Sequence, residues 1–471
     1  MLTIRGRKAR FCDGVSRRGF LKIGSLAFGG FALGLPDILR AEAASGNSPS
    51  PHKAVINIFL AGGPPHQDMW DVKTGAPSEI RGEFKPIRTS LPGVEICEMF
   101  PRIAKMAHKL TFIRSVVGSV GSHDAYQCMT GWSRRKLRSS GGYPALGSVA
   151  AKLLGPVDRA VPPAVGLAAP TIERRWSDSG SPGFLGPAFA PFKPFMVGDQ
   201  GRPGSQALVG AYENSPGISE IRLKEITLDR LRDRRRLLRQ VDAFRRDLDR
   251  QAGVGALDSA TEAAFEVLAS SRLANALDLS KENPQTVARY GDGKPYHFKY
   301  DGAATCNDHL LLARRLVEAG CRSVTLSYGR WDSHGANFAL VRDHGPKLDQ
   351  CFSALVEDLD QRGMLEDVAV IAWGEFGRTP KINKKAGRDH WLRVSCALMA
   401  GGGMPMGQVI GATNPRGEYA SERPVDMQQI LATLYHHLGI DVRNVLLPDR
   451  SGRPQYLLKD TCRDPVPELV A

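Results

Sequence analysis

Five apolar stretches stand out along the chain: AVINIFLAGG (54–63), KLTFIRSVV (109–117), CRSVTLSY (321–328), VAVIAW (368–373) and VSCALMAGGG (394–403). Each is short and nearly free of charge, the pattern of a strand buried on both faces. Apolar positions recur at helical spacing over 306–320 and 346–363, and each of these stretches ends at a glycine, as helix C-termini often do. Strands alternating with helices predict right-handed βαβ units and a parallel-rich sheet sandwiched by helices.

The middle of the chain departs from this rhythm. Residues 155–220 are dense in Pro and Gly with little periodicity, whereas 219–282 read as a charged helical block. A structureless loop of that length is uncommon in a compact domain, so 155–285 is expected to be an ordered insertion or lid. The α/β domain itself is expected to span 54–463, built from two sequence-separated halves.

The N-terminus carries a different signal. Ser16-Arg17-Arg18-Gly19-Phe20-Leu21-Lys22, an apolar stretch at 23–35 and AEAA at 41–44 follow one another in the order of a twin-arginine export signal with its cleavage site. The apolar part is too short for a stable membrane span. Residues 1–44 thus read as a signal peptide handled by the twin-arginine translocation machinery, and 45–53 as a flexible leader. The mature protein is placed in the periplasm or outside the cell.

Removing the signal takes away eight Lys/Arg and three Asp/Glu, which lowers the formal charge from +14 to +9. The remaining excess lacks the basic-aromatic interleaving of nucleic-acid modules, so nucleic acid is not expected as a partner. A basic surface suits anionic substrates or polymers. The seven mature cysteines never form a CxxC pair, which argues against a zinc-finger-type site.

In parallel sheets, ligands collect beyond the carboxyl ends of strands. After the first stretch come His66, Asp68 and Asp71; after the second, Ser122, His123 and Asp124; after the third, Asp332 and His334. Glu375 and Arg378 follow the fourth, with Asp389 and His390 shortly beyond. One Asp after a strand is usually a helix cap. Carboxylates and imidazoles at successive strand ends instead point to a divalent metal, zinc first, with manganese, iron or calcium as alternatives.

The motifs GGPPHQDMWDVK, WDSHGANF, VAVIAWGEFGRTPKIN, GRDHW and GQVIGAT resemble those of the exported family grouped as domain of unknown function 1501, within the alkaline phosphatase and sulfatase superfamily. The resemblance runs from about Val55 to Asp441. It implies an alkaline-phosphatase-like α/β fold and a metal centre at the strand ends. Carried over residue by residue, it implies metal ligands at Asp68 (Asp71 as fallback), Asp332, His334, Glu375 and His390, with Asp389 adjacent. Phe376 stands where a further His ligand would be, so one metal or an altered pair is implied rather than two.

The superfamily's nucleophile lies roughly ten residues before a Thr-Gly, here Thr130-Gly131. That implies Ser122, beside His123, as the attacking group, with a metal-bound water as the alternative. No Cys-x-Pro-x-Arg motif occurs, since Cys128 is followed by Met-Thr-Gly, which argues against a formylglycine sulfatase. Arg378 is expected to bind the oxygens of a phosphate or sulfate. The resulting expectation is an exported metal-dependent hydrolase of phosphate or sulfate esters, its substrate an anionic ester such as a sulfated or phosphorylated glycan. The alternative is an exported binding or scaffold protein that kept the fold without turnover.

Overall fold

The computed structural model describes residues 26–28, 31–33, 52–121, 123, 125–168, 176, 178–194, 271–298 and 303–470. The export motif, the cleavage region, Ser122, Asp124 and most of the helical block 219–282 lie outside the described residues. The chain divides into two compact units, Met1–Pro51 and His52–Ala471. In the first, Leu26–Phe28 and Phe31–Leu33 pair as a short antiparallel ladder. Among the described residues no helix is long and apolar enough to cross a membrane.

The second unit is built on an eight-stranded sheet. Its strands are β1 (Ala54–Ala61), β2 (Leu110–Val117), β3 (Ala164–Leu167), β4 (Ser323–Arg330), β5 (Val368–Trp373), β6 (Ser395–Gly401), β7 (Gln408–Ile410) and β8 (Val425–Asp426). They lie in the order β7-β2-β6-β5-β1-β4-β3, with β8 also paired to β2. All five apolar stretches of the sequence are strands of this sheet. Every pairing is parallel except those of β6, which runs antiparallel to both β2 and β5.

The four longest described helices are α1 (Leu146–Leu153), α2 (Asn307–Glu318), α3 (Asn337–Gln361) and α4 (Met427–His437). Strand periodicity sends Ile56, Ile58 and Leu60 of β1 into one core with Leu310 of α2 and Leu348 and Phe352 of α3. Val55 and Phe59 enter the other, with Val149 of α1 and Ile430 and Leu434 of α4. The result is helices on both faces of a mostly parallel sheet.

Two elements depart from the sequence reading. The edge strand β3 lies inside the Pro/Gly-rich stretch read as an insertion, so part of that stretch belongs to the sheet itself. Helix α3 begins nine residues before Pro346 and carries that proline inside it. Proline usually disrupts a helix interior; here Phe338, Leu340, Val341 and His344 of the preceding turns are all buried and hold the helix by packing. His309 and His344 are both buried, whereas His436 is exposed at the end of α4.

Candidate metal centre

Strands β1, β2, β4 and β5 all point the same way, so their carboxyl ends share one edge of the sheet. Antiparallel β6 brings its entering loop, rather than its exit, to that edge. Residues separated widely in sequence meet there. His123 follows β2, Asp332 and His334 follow β4, and His390 precedes β6. One ligand atom from each lies within 4.8 Å of all the others, the only such group of four among the described residues.

The Nε2 atoms of three imidazoles converge on one carboxylate oxygen. His334 Nε2 lies 3.1 Å from Asp332 Oδ1, and the Nε2 atoms of His123 and His390 each lie 3.5 Å from it. His334 Nε2 and His390 Nε2 are 3.0 Å apart. Two imidazole nitrogens sharing a tetrahedral zinc stand about 3.3 Å apart, given Zn–N bonds of roughly 2.0–2.1 Å. The donor set therefore fits a divalent ion of the zinc type.

The outward nitrogens are held by carboxylates. His123 Nδ1 lies 3.0 Å from Glu375 Oε1, and His334 Nδ1 lies 2.6 Å from Asp389 Oδ1. A carboxylate behind the imidazole fixes the ring's tautomer and aim, as metal-ligating histidines commonly require. Glu375 is itself fixed, since both of its oxygens accept from Gly62 N at 3.0 and 3.1 Å. Gly62 has φ +102°, and a Cβ there would come within 2.6 Å of the Asp332 backbone nitrogen, so only glycine lets β1 and β4 approach so closely.

Charge in the cluster is strongly coupled. Burial by itself would favour a neutral Asp332, but hydrogen bonds from His123 and His390 and the charge of Arg378 hold its carboxyl far below the ordinary range. Burial would likewise depress His123, yet its bonds to Asp332 and Glu375 outweigh that and raise its pKa. His390 is lowered by burial, with the Arg378 charge adding to the effect. Phe376 packs on the rings of His390 and His123, at centroid distances of 4.4 and 5.2 Å, and Trp176 lies 4.5 Å from His123. The position where a further His ligand is implied is thus an apolar wall.

The other expected site residues fall around this cluster rather than in it. Asp68 is fully buried, pairs with Arg388 through both oxygens, and accepts from Asn337 Nδ2 at 2.7 Å. Both of its oxygens are thus engaged by the protein, which makes it half of an internal ion pair. Asp71 is bound by Lys73 and Thr413. Glu375 and Asp389 support the imidazoles from behind. Arg378 is fully buried and donates to the carbonyls of Gly62, Gly63 and Arg388, and to Asp332 Oδ1 at 2.6 Å. Its donors go to the protein, so its place here is behind Asp332.

The loop holding Asp332 and His334 is clamped by a second loop. Arg388 N donates to Ser333 O, Ala336 N to Lys385 O, and Asn383 Nδ2 to His334 O. A short ladder pairs Gly377–Arg378 with His390–Trp391, which fixes His390 opposite Arg378. Beside the cluster lies a cavity of about 380 Å³ whose wall includes Asp332, His334, Arg330 and Lys385. The sequence sets His123 beside Ser122 after a strand; its companions in three dimensions place it instead in the group of four that could hold an ion.

Fold and site together describe an α/β protein with a candidate divalent-metal centre at the carboxyl edge of its sheet. The chain belongs to the family described as protein of unknown function DUF1501, whose profile matches residues 52–469. No curated protein sequence matches it. Among solved structures it is similar to the PsFucS1 sulfatase from Pseudoalteromonas sp., with 12% identity over 85% of this chain and 70% of that one and a TM-score of 0.34. It is similar as well to the phosphonate monoester hydrolase SpPMH from Silicibacter pomeroyi, with 11% identity over 83% and 73% of the two chains and a TM-score of 0.32. At these scores the likeness adds nothing to what the sheet order and site geometry establish.

Proposed function

We propose that this protein is a metal-dependent hydrolase of phosphate or sulfate esters, working in the periplasm or outside the cell after twin-arginine export. The observation that carries this reading is the convergence of His123, Asp332, His334 and His390 with carboxylates fixed behind two of the imidazoles. Such preorganisation is what a site for a catalytic ion needs. A divalent ion held there would supply Lewis-acid stabilisation of the charge that builds up on an ester's oxygens, and would activate a nucleophile.

The chain's own residues divide the remaining work. Glu375 and Asp389 aim His123 and His334. Arg378, through Asp332, keeps the carboxylate charged and in place. Arg330 and Lys385 give the adjoining cavity the positive wall an anionic ester requires. Phe376 and Trp176 cover the imidazoles and limit water around them. Ser122, the chain neighbour of His123, is the proposed nucleophile: its Oγ bonds to phosphorus or sulfur while its proton passes to the departing alcohol, and water then releases phosphate or sulfate from the serine.

Metal content of the purified protein, combined with turnover of aryl phosphates and sulfates, tests this. About one zinc-type ion per chain is expected, and His334→Ala should lose both metal and activity by more than the roughly 10–100-fold that loss of a supporting partner costs. Ser122→Ala should abolish turnover and leave metal content intact. Phe376 and the missing formylglycine motif favour a second reading, a binding protein that holds metal without turnover. Stoichiometric metal with no hydrolysis of any ester would select it.

A further inference from the structure

The stretch SRRKLRSSGG (133–142) takes no part in the metal centre, yet it is the most concentrated run of positive charge among the described residues. It lines a cavity of about 920 Å³ whose wall includes Arg134, Arg135, Arg138, Ser133 and Ser181. That volume is at the upper end of those that enclose small ligands. Arg135 and Arg138 are exposed and have no carboxylate partner among the described residues. Arg134 pairs with Asp178 at 3.0 Å and lies over the Tyr126 ring. The guanidinium of Arg450 adds a further cation, about 3.0 Å from where a Cβ on Gly141 would stand.

This loop is built, not slack. Lys136 N donates to Ser133 O and Gly142 N to Leu137 O, and Leu137 takes the left-handed φ of +52° that such a turn demands. Its start is anchored by Trp132, which stacks on Tyr143 at 4.6 Å and donates to Leu457 O at 2.7 Å. Within the chain Asp178 offsets the charge of Arg134, which leaves those of Arg135 and Arg138 facing the cavity. The fixed turn directs Arg135 and Arg138 to one cavity, where their guanidinium groups are open to an oxyanion.

The cavity also adjoins the metal centre. Val120 and Gly121 form part of its wall, and His123 follows two residues later, a reach of at most about 7 Å. From the other side Leu392, two residues past His390, lies 3.2 Å from a Cβ placed on Gly121.

We propose that this cleft binds the anionic sugars that flank the ester at the metal centre, so that the substrate is an oligosaccharide carrying several sulfate or phosphate groups. The inference rests on the reading of the metal centre as an ester hydrolase. A sugar suits the lining better than a nucleic acid does. Tyr126 is buried, and Trp132 is covered by Tyr143 on one side and approached by Lys136 at 5.6 Å. Among the described residues of this wall, no open ring remains to stack a base. Ser133, Ser181 and the glycine backbone offer partners to hydroxyl groups instead.

Binding of fluorescently labelled dextran sulfate to the full chain tests the assignment without requiring turnover. The double substitution Arg135→Ala/Arg138→Ala should weaken it at least about tenfold, the scale of two charge-assisted hydrogen bonds, and make it less salt-sensitive. His334→Ala should keep the arginine-dependent part of this binding, and the double variant should hydrolyse a small aryl ester as the wild type does. Equal affinity in wild type and double variant would overturn the proposal. So would neutral dextran bound as tightly as dextran sulfate, or a single-stranded oligonucleotide of equal charge bound more tightly. Absence of any hydrolysis, with arginine-dependent dextran sulfate binding intact, would remove the hydrolase reading and leave the cleft as an anionic-glycan site.

Discussion

At the residue scale, the capacity of this centre to hold an ion depends on Glu375 and Asp389 as well as on the converging imidazoles. Each carboxylate takes the outward nitrogen of a histidine and leaves its Nε2 facing Asp332. Glu375→Gln and Asp389→Asn should each lower zinc affinity by about 10–100-fold, measured by competition with a chromophoric chelator. The two should differ in their effect on folding. Glu375 is buried and binds the Gly62 nitrogen, whereas the Asp389 side chain is 52% exposed, so only the first substitution should lower the melting temperature noticeably. Zinc affinity unchanged in both variants would refute the supporting role. These residues are legible in sequence as polar positions after strands. Their division into ligands and supports is not, because it depends on which side-chain atom faces which neighbour.

At the scale of elements, an ion network ties α2 to α3 and to the segment before them. Arg314 of α2, almost fully buried, pairs with Glu282, with Glu318 and with Asp358 of α3. Arg315 and Arg362 also reach Glu282. Burial would raise the Glu282 pKa, but hydrogen bonds from Arg315 and Arg314 outweigh it and bring it to about 2. A folded-state pKa below the unfolded value means that the stabilisation is present above the unfolded pKa and is lost as pH falls towards 2. Glu282→Gln should therefore be less stable than the wild type at pH 6, by about 2 kcal/mol, the scale of a lost charge-assisted hydrogen bond, since Arg314 keeps Glu318 and Asp358. The gap should narrow as the pH is lowered from 4.5 to 2.5, read by denaturant midpoints at each pH. A constant gap would show that the charge of Glu282 contributes nothing. The same scale shows where periodicity misleads: Pro346 reads as a helix start, yet packing of the preceding turns extends α3 through it. Likewise β6 has the apolar pattern of its neighbours and the opposite direction, since composition does not encode orientation.

At the scale of the whole molecule, one ion would join loops from both halves of the chain, so its removal should be felt globally. A ligand that binds only the folded state stabilises it by about 2.7 kcal/mol when present at 100 times its Kd. Chelation should therefore lower the melting temperature of the wild type, and zinc should restore it. His334→Ala should show neither response. The seven cysteines of the second unit are all buried as free thiols, so the metal and the two cores, rather than disulfides, are what could hold this unit together. Local pattern alone determined the strands β1, β2, β4, β5 and β6, the α/β class and the set of polar residues beyond the strand ends. These follow from periodicity and turn chemistry, which act over a few residues at a time. Tertiary structure alone decided that His123 joins Asp332, His334 and His390, that Asp68 and Arg378 spend their polar atoms on the protein, and that the arginines of 134–138 line a cavity beside the centre. Those outcomes depend on strand order and direction, which long-range packing sets and no short window of sequence contains.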